Sequence, residues 1–546
     1  MISILTVALA FVVLTASARV QPPLPDLVLT GTIDASAHQT YREIPFRVPP
    51  GITAIAVDFN YTEQEQRTVI DLGLADPQRF RGWSGGSKAR FTLSESFATP
   101  SYLPGPIVSG VWKLVLGVPN IRKGVRSDYT ARIRFTRAGA PPQGFAAGPL
   151  AAESRWYRGD FHAHSGHSDG TCASASGKRV PCPLHKSVEA AAARGLDFVA
   201  LSEHNATAQH QALAELQPFH DTLLLLPARE LTTFVGHANM FGPVEPVDFR
   251  VGTKAVPTVN VMLARVAALG GLISVNHPSL PSGEACMGCG WTAADTDWSR
   301  VQDMEVVNGG AVAIAGGAVE TPLSGIAFWE ALLNQGHRLT AIGGSDNHDV
   351  SRDANTVGMP TTVVFARDLS VSALLDGVRS ARVFIDVDGT RDRLLELSAK
   401  SDAATMEMGG TLPVRPGSVI ELTVRVAGVP GGRIEAVRNG KVIDAGLDGA
   451  LRSLNETRRF TLVADPATRW VRINVRDVTG RLVLIGNPVF FTPAPDANRL
   501  RRHGLRDPAP RFAGAGCDGA RARERRSAAS CGGENRRRHR ERERRQ

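Results

Sequence analysis

The sequence predicts an α/β region, built as a parallel sheet or barrel, with an all-β segment on either side. Three observations carry that expectation. Residues 27–137 alternate short β-rich runs with Gly, Pro and Asn punctuation, with no helix-length amphipathic pattern between them. From about residue 155 to 392, short apolar runs alternate with helical stretches closed by glycine. From 405 to 494 the pattern returns to strands alone.

In chain order, residues 1–18 come first, with an apolar run from Ile2 to Leu14 and then Ala16-Ser17-Ala18, an A-x-A cleavage pattern. This 13-residue run, interrupted by Ser3 and Thr6, is short of the ~20 that span a bilayer. The segment therefore predicts a signal peptide and an exported (periplasmic or extracellular) protein. No later run is long enough for a transmembrane segment. Runs such as Ile55-Ala56-Val57-Asp58-Phe59 and Val111-Trp112-Lys113-Leu114-Val115-Leu116 predict an N-terminal β-sandwich over 27–137. Residues 138–154 are rich in Pro, Gly and Ala and read as a linker.

Helices are predicted at 184–194, 258–269 and 328–335, closed by Gly195, Gly270 and Gly336, since glycine accepts the left-handed conformation that ends a helix. Each leads into a buried-strand run: 196–201, 272–275 and 339–342. The C-terminal segment, 405–494, reads as a smaller β-sandwich, with runs at 419–426 and 470–475. Residues 499–546 carry 16 Arg, no Lys, six acids and almost no large apolar side chains. Such a composition predicts disorder, because too little apolar area can be buried to offset ordering entropy.

With 43% hydrophobic and 21% charged residues, the 546-residue chain is neither wholly disordered nor an integral membrane protein. A formal charge of +9 suggests nucleic acid or an anionic surface as a partner. Its location removes that suggestion: residues 1–498 hold 46 basic and 47 acidic side chains, and the excess lies in the tail. No specific nucleic-acid partner is expected. Of six cysteines, Cys172 and Cys182 are close in sequence, as are Cys286 and Cys289. In an exported protein, disulfides within or between these pairs are favoured over a zinc half-site.

The chemistry-bearing residues gather at strand ends. His162 and His164 follow the strand-like run 157–161, and i, i+2 spacing in an extended chain aims both rings to one side. Asp169 lies in a Ser-Asp-Gly turn, and Glu203-His204 closes the run 196–201. Glu230 ends the run 223–227, His237 lies seven residues on, and His277 ends 273–276. Asp346 and His348 end 340–343, again at i, i+2 spacing. Parallel sheets and barrels place functional groups at the carboxyl ends of their strands. A nitrogen and oxygen donor set without nearby thiol suits Zn, Mn or Fe. Nine ligands exceed one tetrahedral ion and fit two or three divalent metal ions. Glu203 is expected to orient His204, and Asn205, Asn276 and Asn347 could donate hydrogen bonds to substrate.

At these residues the chain resembles the PHP (polymerase and histidinol phosphatase) superfamily, and within it the CehA/McbA-type, carbaryl-hydrolase-like metallohydrolases. The matching stretches are Gly159–Ser165 with Ser168-Asp169-Gly170, Gly195–Asn205, Ala228-Arg229-Glu230 with Gly236-His237, Asn276-His277-Pro278, and Gly344-Ser345-Asp346-Asn347-His348. The resemblance implies a distorted (β/α)7 barrel over 155–392. It implies one ion held by His162, His164, Glu230 and Asp346, and a second by Asp169, His204 and His348. Glu230 would bridge to a third position formed with His237 and His277. Two departures stand out. Ser202-Glu203-His204-Asn205 replaces the usual Thr-Asp-His-Asn, and Asp169 sits where some members use histidine.

The implied activity is metal-assisted hydrolysis of a small-molecule ester or phosphoester, in which a metal-bound hydroxide attacks and Asp346 or His277 assists proton transfer. A phosphoesterase is the first expectation. Carboxyl-ester or carbamate hydrolysis at the same site, and a non-catalytic secreted binding module, are the alternatives. The Gly-x-Ser-x-Gly of α/β hydrolases is not present.

Overall fold

The computed structural model describes residues 24–494 except 139, 141–143, 285, 353–355, 403, 445–448 and 466. The expected signal peptide (1–18) and arginine-rich tail (499–546) lie outside the described residues.

The N-terminal segment forms two four-stranded sheets. One orders Leu27–Asp34, Arg126–Arg137, Ile52–Tyr61 and Arg90–Ser94; the other orders Thr40–Val48, Gly110–Asn120, Val69–Ala75 and Phe80–Gly85. Alternation turns Ile55, Val57 and Phe59 from the first sheet and Trp112, Leu114 and Leu116 from the second into one shared core.

The expected (β/α)7 barrel does not form. Strands outweigh helices throughout, and among the described residues there are six α-helices and no closed barrel. The region that carries the nine candidate ligands instead divides between two open sheets. In one, Leu224–Leu226, Phe198–Leu201, Arg155–Ala163, Thr361–Ala366 and Val383–Asp386 lie side by side. In the other, Ala228–Thr233, Gly236–Phe241, Leu272–Val275, Asp303–Asn308 and Thr340–Gly344 form five strands.

The reason lies in the connections, since a parallel neighbour requires a crossover whereas a tight turn gives an antiparallel one. Ala228–Thr233 turns directly into Gly236–Phe241, an antiparallel hairpin without a helix. Gly236–Phe241 is in turn antiparallel to Leu272–Val275. Thr361–Ala366 runs antiparallel to Arg155–Ala163. Closure is also forestalled at the free edge: Val383–Asp386 pairs with Leu482–Gly486 from the C-terminal segment.

That pairing changes the C-terminal architecture as well. Instead of a separate sandwich, six strands, Leu482–Gly486, Trp470–Arg476, Arg433–Arg438, Lys441–Ile443, Val489–Pro493 and Thr411–Val414, extend the first of these sheets to 11 strands. Leu394–Lys400, Val419–Ala427 and Asn455–Val463 form a second layer over it. Val363 and Phe384 from the candidate-ligand region and Leu422, Val424, Ile473 and Leu484 bury one another in a single core.

Helices occur where glycine closure predicts them: Leu184–Ala193, Val259–Ala268 and Ile326–Asn334. The two sheets that carry the candidate ligands meet over Phe161, Phe198, Phe241, Ile342 and Leu374. At their carboxyl end, an isolated parallel bridge joins His204 to Glu230. Cys172 pairs with Cys182 and Cys286 with Cys289. No helix among the described residues is long and apolar enough to cross a membrane.

Candidate metal centre

Arg155–Ala163 is extended to its last residue, so Ala163 turns into the core while His162 and His164 face the opposite side together. Each His Nε2 lies 3.2 Å from Asp346 Oδ1 and 3.5 Å from Glu230 Oε2. Asp346 follows Thr340–Gly344 with φ of 51° and His277 follows Leu272–Val275 with φ of 27°. Non-glycine residues in this region cost on the order of 1–3 kcal/mol. The strain falls on two of the nine expected ligands, where the chain must turn sharply off a strand. Gly344 is required just before: a Cβ there would collide with Glu305 and His162.

A second group opens toward solvent. Donor atoms of His164, Asp169, His204 and His348 all lie within 4.8 Å of one another. Asp169 Oδ1 is 3.6 Å from His204 Nε2 and 3.3 Å from His348 Nε2. The third group is enclosed: Glu230 Oε1 lies 3.3 Å from His237 Nδ1 and 3.5 Å from His277 Nε2. His237 starts an antiparallel strand, which returns it to the end where the parallel strands finish.

Glu230 joins the groups. Its Oε2 faces His162, His164 and, at 2.8 Å, His204 Nδ1, while its Oε1 faces His237 and His277. All nine expected ligands therefore converge on one carboxylate hub and its immediate neighbours.

Burial raises the pKa of Glu230, but the His204 and His162 cations outweigh it and hold the carboxyl well below its ordinary value. Asp346 is held low in the same way, burial being outweighed by His162, His164 and His348. Burial opposes charging of His162, yet Asp346, Glu305 and Glu230 raise it well above the ordinary histidine value. His164 goes the other way, to about 4, through burial and the neighbouring His348 and His204. For His348 burial is outweighed by Asp169 and Asp346, which lift it to about 9.

Buried polar atoms are almost always hydrogen-bonded. Here His162 Nε2, His164 Nε2, Glu230 Oε2 and His237 Nδ1 are buried without a hydrogen-bond partner, and all face the same few ångströms of space. Ionised carboxylates and orphaned imidazole nitrogens in that arrangement fit divalent cations.

The surrounding shell departs from expectation in three places. Glu203 does not orient His204. It accepts from Ser165 N, Ser165 Oγ and Ser168 Oγ, fixing the loop after His164, and Ser168 Oγ reaches His164 Nδ1 at 3.4 Å. His204 Nδ1 instead meets Thr232 Oγ1 at 2.6 Å. The three asparagines are committed within the fold: Asn205 to Thr232, Asn276 to Glu230 Oε1, and Asn347 to Asp349 O.

Third, sequence reasoning passed over Glu305. It sits in the wholly buried strand Asp303–Asn308, 3.0 Å from His162 Nδ1, and accepts from the backbone N–H of His277 and from Asn308 Nδ2. Asn308 also donates to Asp346 Oδ2. One carboxylate thus steadies three ligands. Two acids, Asp303 and Glu305, in one short buried strand were the available signal. Asp160, equally buried, ties the backbone N–H groups of His162, Ser345 and Gly358 together.

No protein-family model and no curated protein matches the chain. Among solved structures it is similar to a two-domain protein from Bacteroides vulgatus, named as containing a PHP-like metal-dependent phosphoesterase. The identity is 15%, covering 65% of this chain and 98% of that one, at a TM-score of 0.33. It is also similar to a protein from Bifidobacterium adolescentis named as a metal-dependent phosphoesterase. There the identity is 16%, covering 41% and 95%, with a TM-score of 0.27. Likenesses this distant define neither family nor activity; the functional reading rests on the side chains.

Proposed function

We propose that this chain is a metal-dependent hydrolase of PHP type, exported and acting on small-molecule phosphoesters. The observation that carries the reading is Glu230, whose two oxygens face separate histidine groups from one buried position. His162, His164, Glu230 and Asp346 would hold one ion; Asp169, His204 and His348 a second; Glu230, His237 and His277 a third. Divalent ions so held supply Lewis acidity toward the ester oxygens and lower the pKa of water toward neutrality. Zn, Mn and Fe suit the donors.

The chain's own groups do the rest. Glu305 holds the His162 ring by its Nδ1, leaving Nε2 aimed at Asp346 and Glu230. The Cys289 carbonyl does the same for His277 through Nδ1. Asp346 Oδ2 is steadied by Asn308; Asp346 and His277 are the two candidates for proton transfer. Asp169 and His348 are partly exposed, so substrate reaches the cluster from their side. Three adjoining donor groups match the several oxygens of a phosphoryl centre, which favours phosphoester over carboxyl ester. Two paired cysteine sets support export, because disulfides persist in oxidising compartments.

The test is turnover of p-nitrophenyl phosphate, bis-p-nitrophenyl phosphate and a p-nitrophenyl carboxyl ester with added Mn or Zn. Metal-dependent release from a phosphoester supports the reading. Release from the carboxyl ester alone transfers the site to ester or carbamate chemistry, and release from none, with no bound metal, makes the chain a binding module.

A further inference from the structure

The loop after His277 carries Cys286-Met287-Gly288-Cys289 across the enclosed side of the cluster, and it is clamped there. Gly288 has φ of 79°, and a Cβ on it would collide with the Thr233 carbonyl; one on Gly290 would meet the Leu280 carbonyl. Close backbone approach on both sides therefore fixes where Cys289 sits. Cys289 is 1% exposed. Its Sγ and ring nitrogens of His237 and His277 lie within 4.8 Å of one another. The Met287 carbonyl is 3.3 Å from His237 Nε2 and the Cys289 carbonyl 3.1 Å from His277 Nδ1. His237 Nδ1 is itself a buried nitrogen without a hydrogen-bond partner. Sulfur paired with Cys286 offers no thiolate.

We propose that the Cys286–Cys289 disulfide is a redox latch on the third metal position, and that its reduction releases Cys289 as a thiolate ligand beside His237 and His277. The inference rests on the metal-centre reading above. A dithiol reductant supplies two electrons and two protons: the S–S bond breaks, Cys286 and Cys289 become thiols, and the reductant becomes a disulfide. Metal binding then displaces the Cys289 proton to solvent. A thiolate favours zinc over manganese, so the latch sets which metal the third position prefers as well as how firmly it is held.

Cobalt loading of the full-length protein reads the ligand directly, because a cobalt–thiolate bond adds a charge-transfer absorption that histidine and carboxylate ligands lack. Oxidised protein is expected to bind cobalt without that band and to gain it after treatment with a dithiol. Cys286→Ser, which leaves Cys289 unpaired, should show the band without reductant. Cys289→Ser should lack it under all conditions, which also excludes sulfur from Cys172, Cys182 or the tail cysteines. Cobalt bound to Cys286→Ser without the band, or a band retained by Cys289→Ser, overturns the latch and leaves the metal centre standing. Failure of every form to bind cobalt overturns both.

Discussion

Arg81 and Glu230 are both buried charges, one between the N-terminal sheets and one between the metal-bearing strands, and they are treated in opposite ways. Arg81 is fully enclosed, yet its guanidinium pairs with Asp76 at 3.0 Å and donates to the carbonyls of Leu103, Gly105 and Pro106. It also lies over the Trp112 ring. Glu230 is equally enclosed, but its Oε2 has no hydrogen-bond partner, and orphaned histidine nitrogens face it. A buried charge that is fully satisfied holds a fold together. One left unsatisfied among others of its kind is held ready for something that arrives later. Arg81 is satisfied within the N-terminal segment, whereas the cluster around Glu230 keeps several polar atoms unpaired.

That contrast is most exposed at Glu230. Glu230→Gln removes the charge shared by three donor groups. It should strip bound metal and lower kcat by at least on the order of 10²–10³, while the metal-free fold remains. Elemental analysis alongside turnover checks this, and a full metal complement in the variant would break the contrast. Arg81→Met is the converse: it leaves Asp76 enclosed without its partner and should cost roughly 3 kcal/mol in denaturant unfolding. Metal content and turnover per folded molecule should not change. Between these lies Glu305→Gln, which touches no expected metal but loosens His162, His277 and, through Asn308, Asp346. A loss of about 10–100-fold in metal affinity is expected, measured by competition with a chelator. Unchanged affinity would confine Glu305 to folding.

The same division explains what could be read in the sequence. The two His of His162-Ala163-His164 were legible because strand periodicity is local, and so were the helices ended by Gly195, Gly270 and Gly336. His237 was found by its spacing from Glu230, although the hairpin that brings them together was not anticipated. Barrel closure failed as an expectation because it depends on which distant strand takes a free edge. Nothing near Val383–Asp386 in sequence announces that Leu482–Gly486, some hundred residues on, will take it. Glu305 and Glu203 were missed or misassigned for a related reason. What a single buried acid binds is decided by neighbours from other strands, and no spacing along its own strand records them.

The smallest expected effect tests whether every unsatisfied buried acid in the metal-bearing region serves the metal. Asp303 begins the strand that carries Glu305, is completely buried, and has neither carboxylate oxygen hydrogen-bonded. Burial pushes its pKa well above the ordinary value, with only Arg379 acting against the shift. A raised acid pKa means that the folded state binds a proton the unfolded state has released. The penalty is therefore absent below the ordinary aspartate value, grows as pH rises from there to the raised value, and is constant above it. Asp303→Asn removes that penalty without adding bulk. It should match the parent protein in stability near pH 3.5 and exceed it by about 1–2 kcal/mol at neutral pH, measured by denaturant unfolding at both. Asp303 lies at the end of its strand opposite Asn308, the end that faces the cluster, so metal content should be unchanged. A gain in stability with metal retained would separate this acid from Glu230, making its burial a cost of the fold. Loss of metal would instead extend the unpaired set to the far end of the sheet.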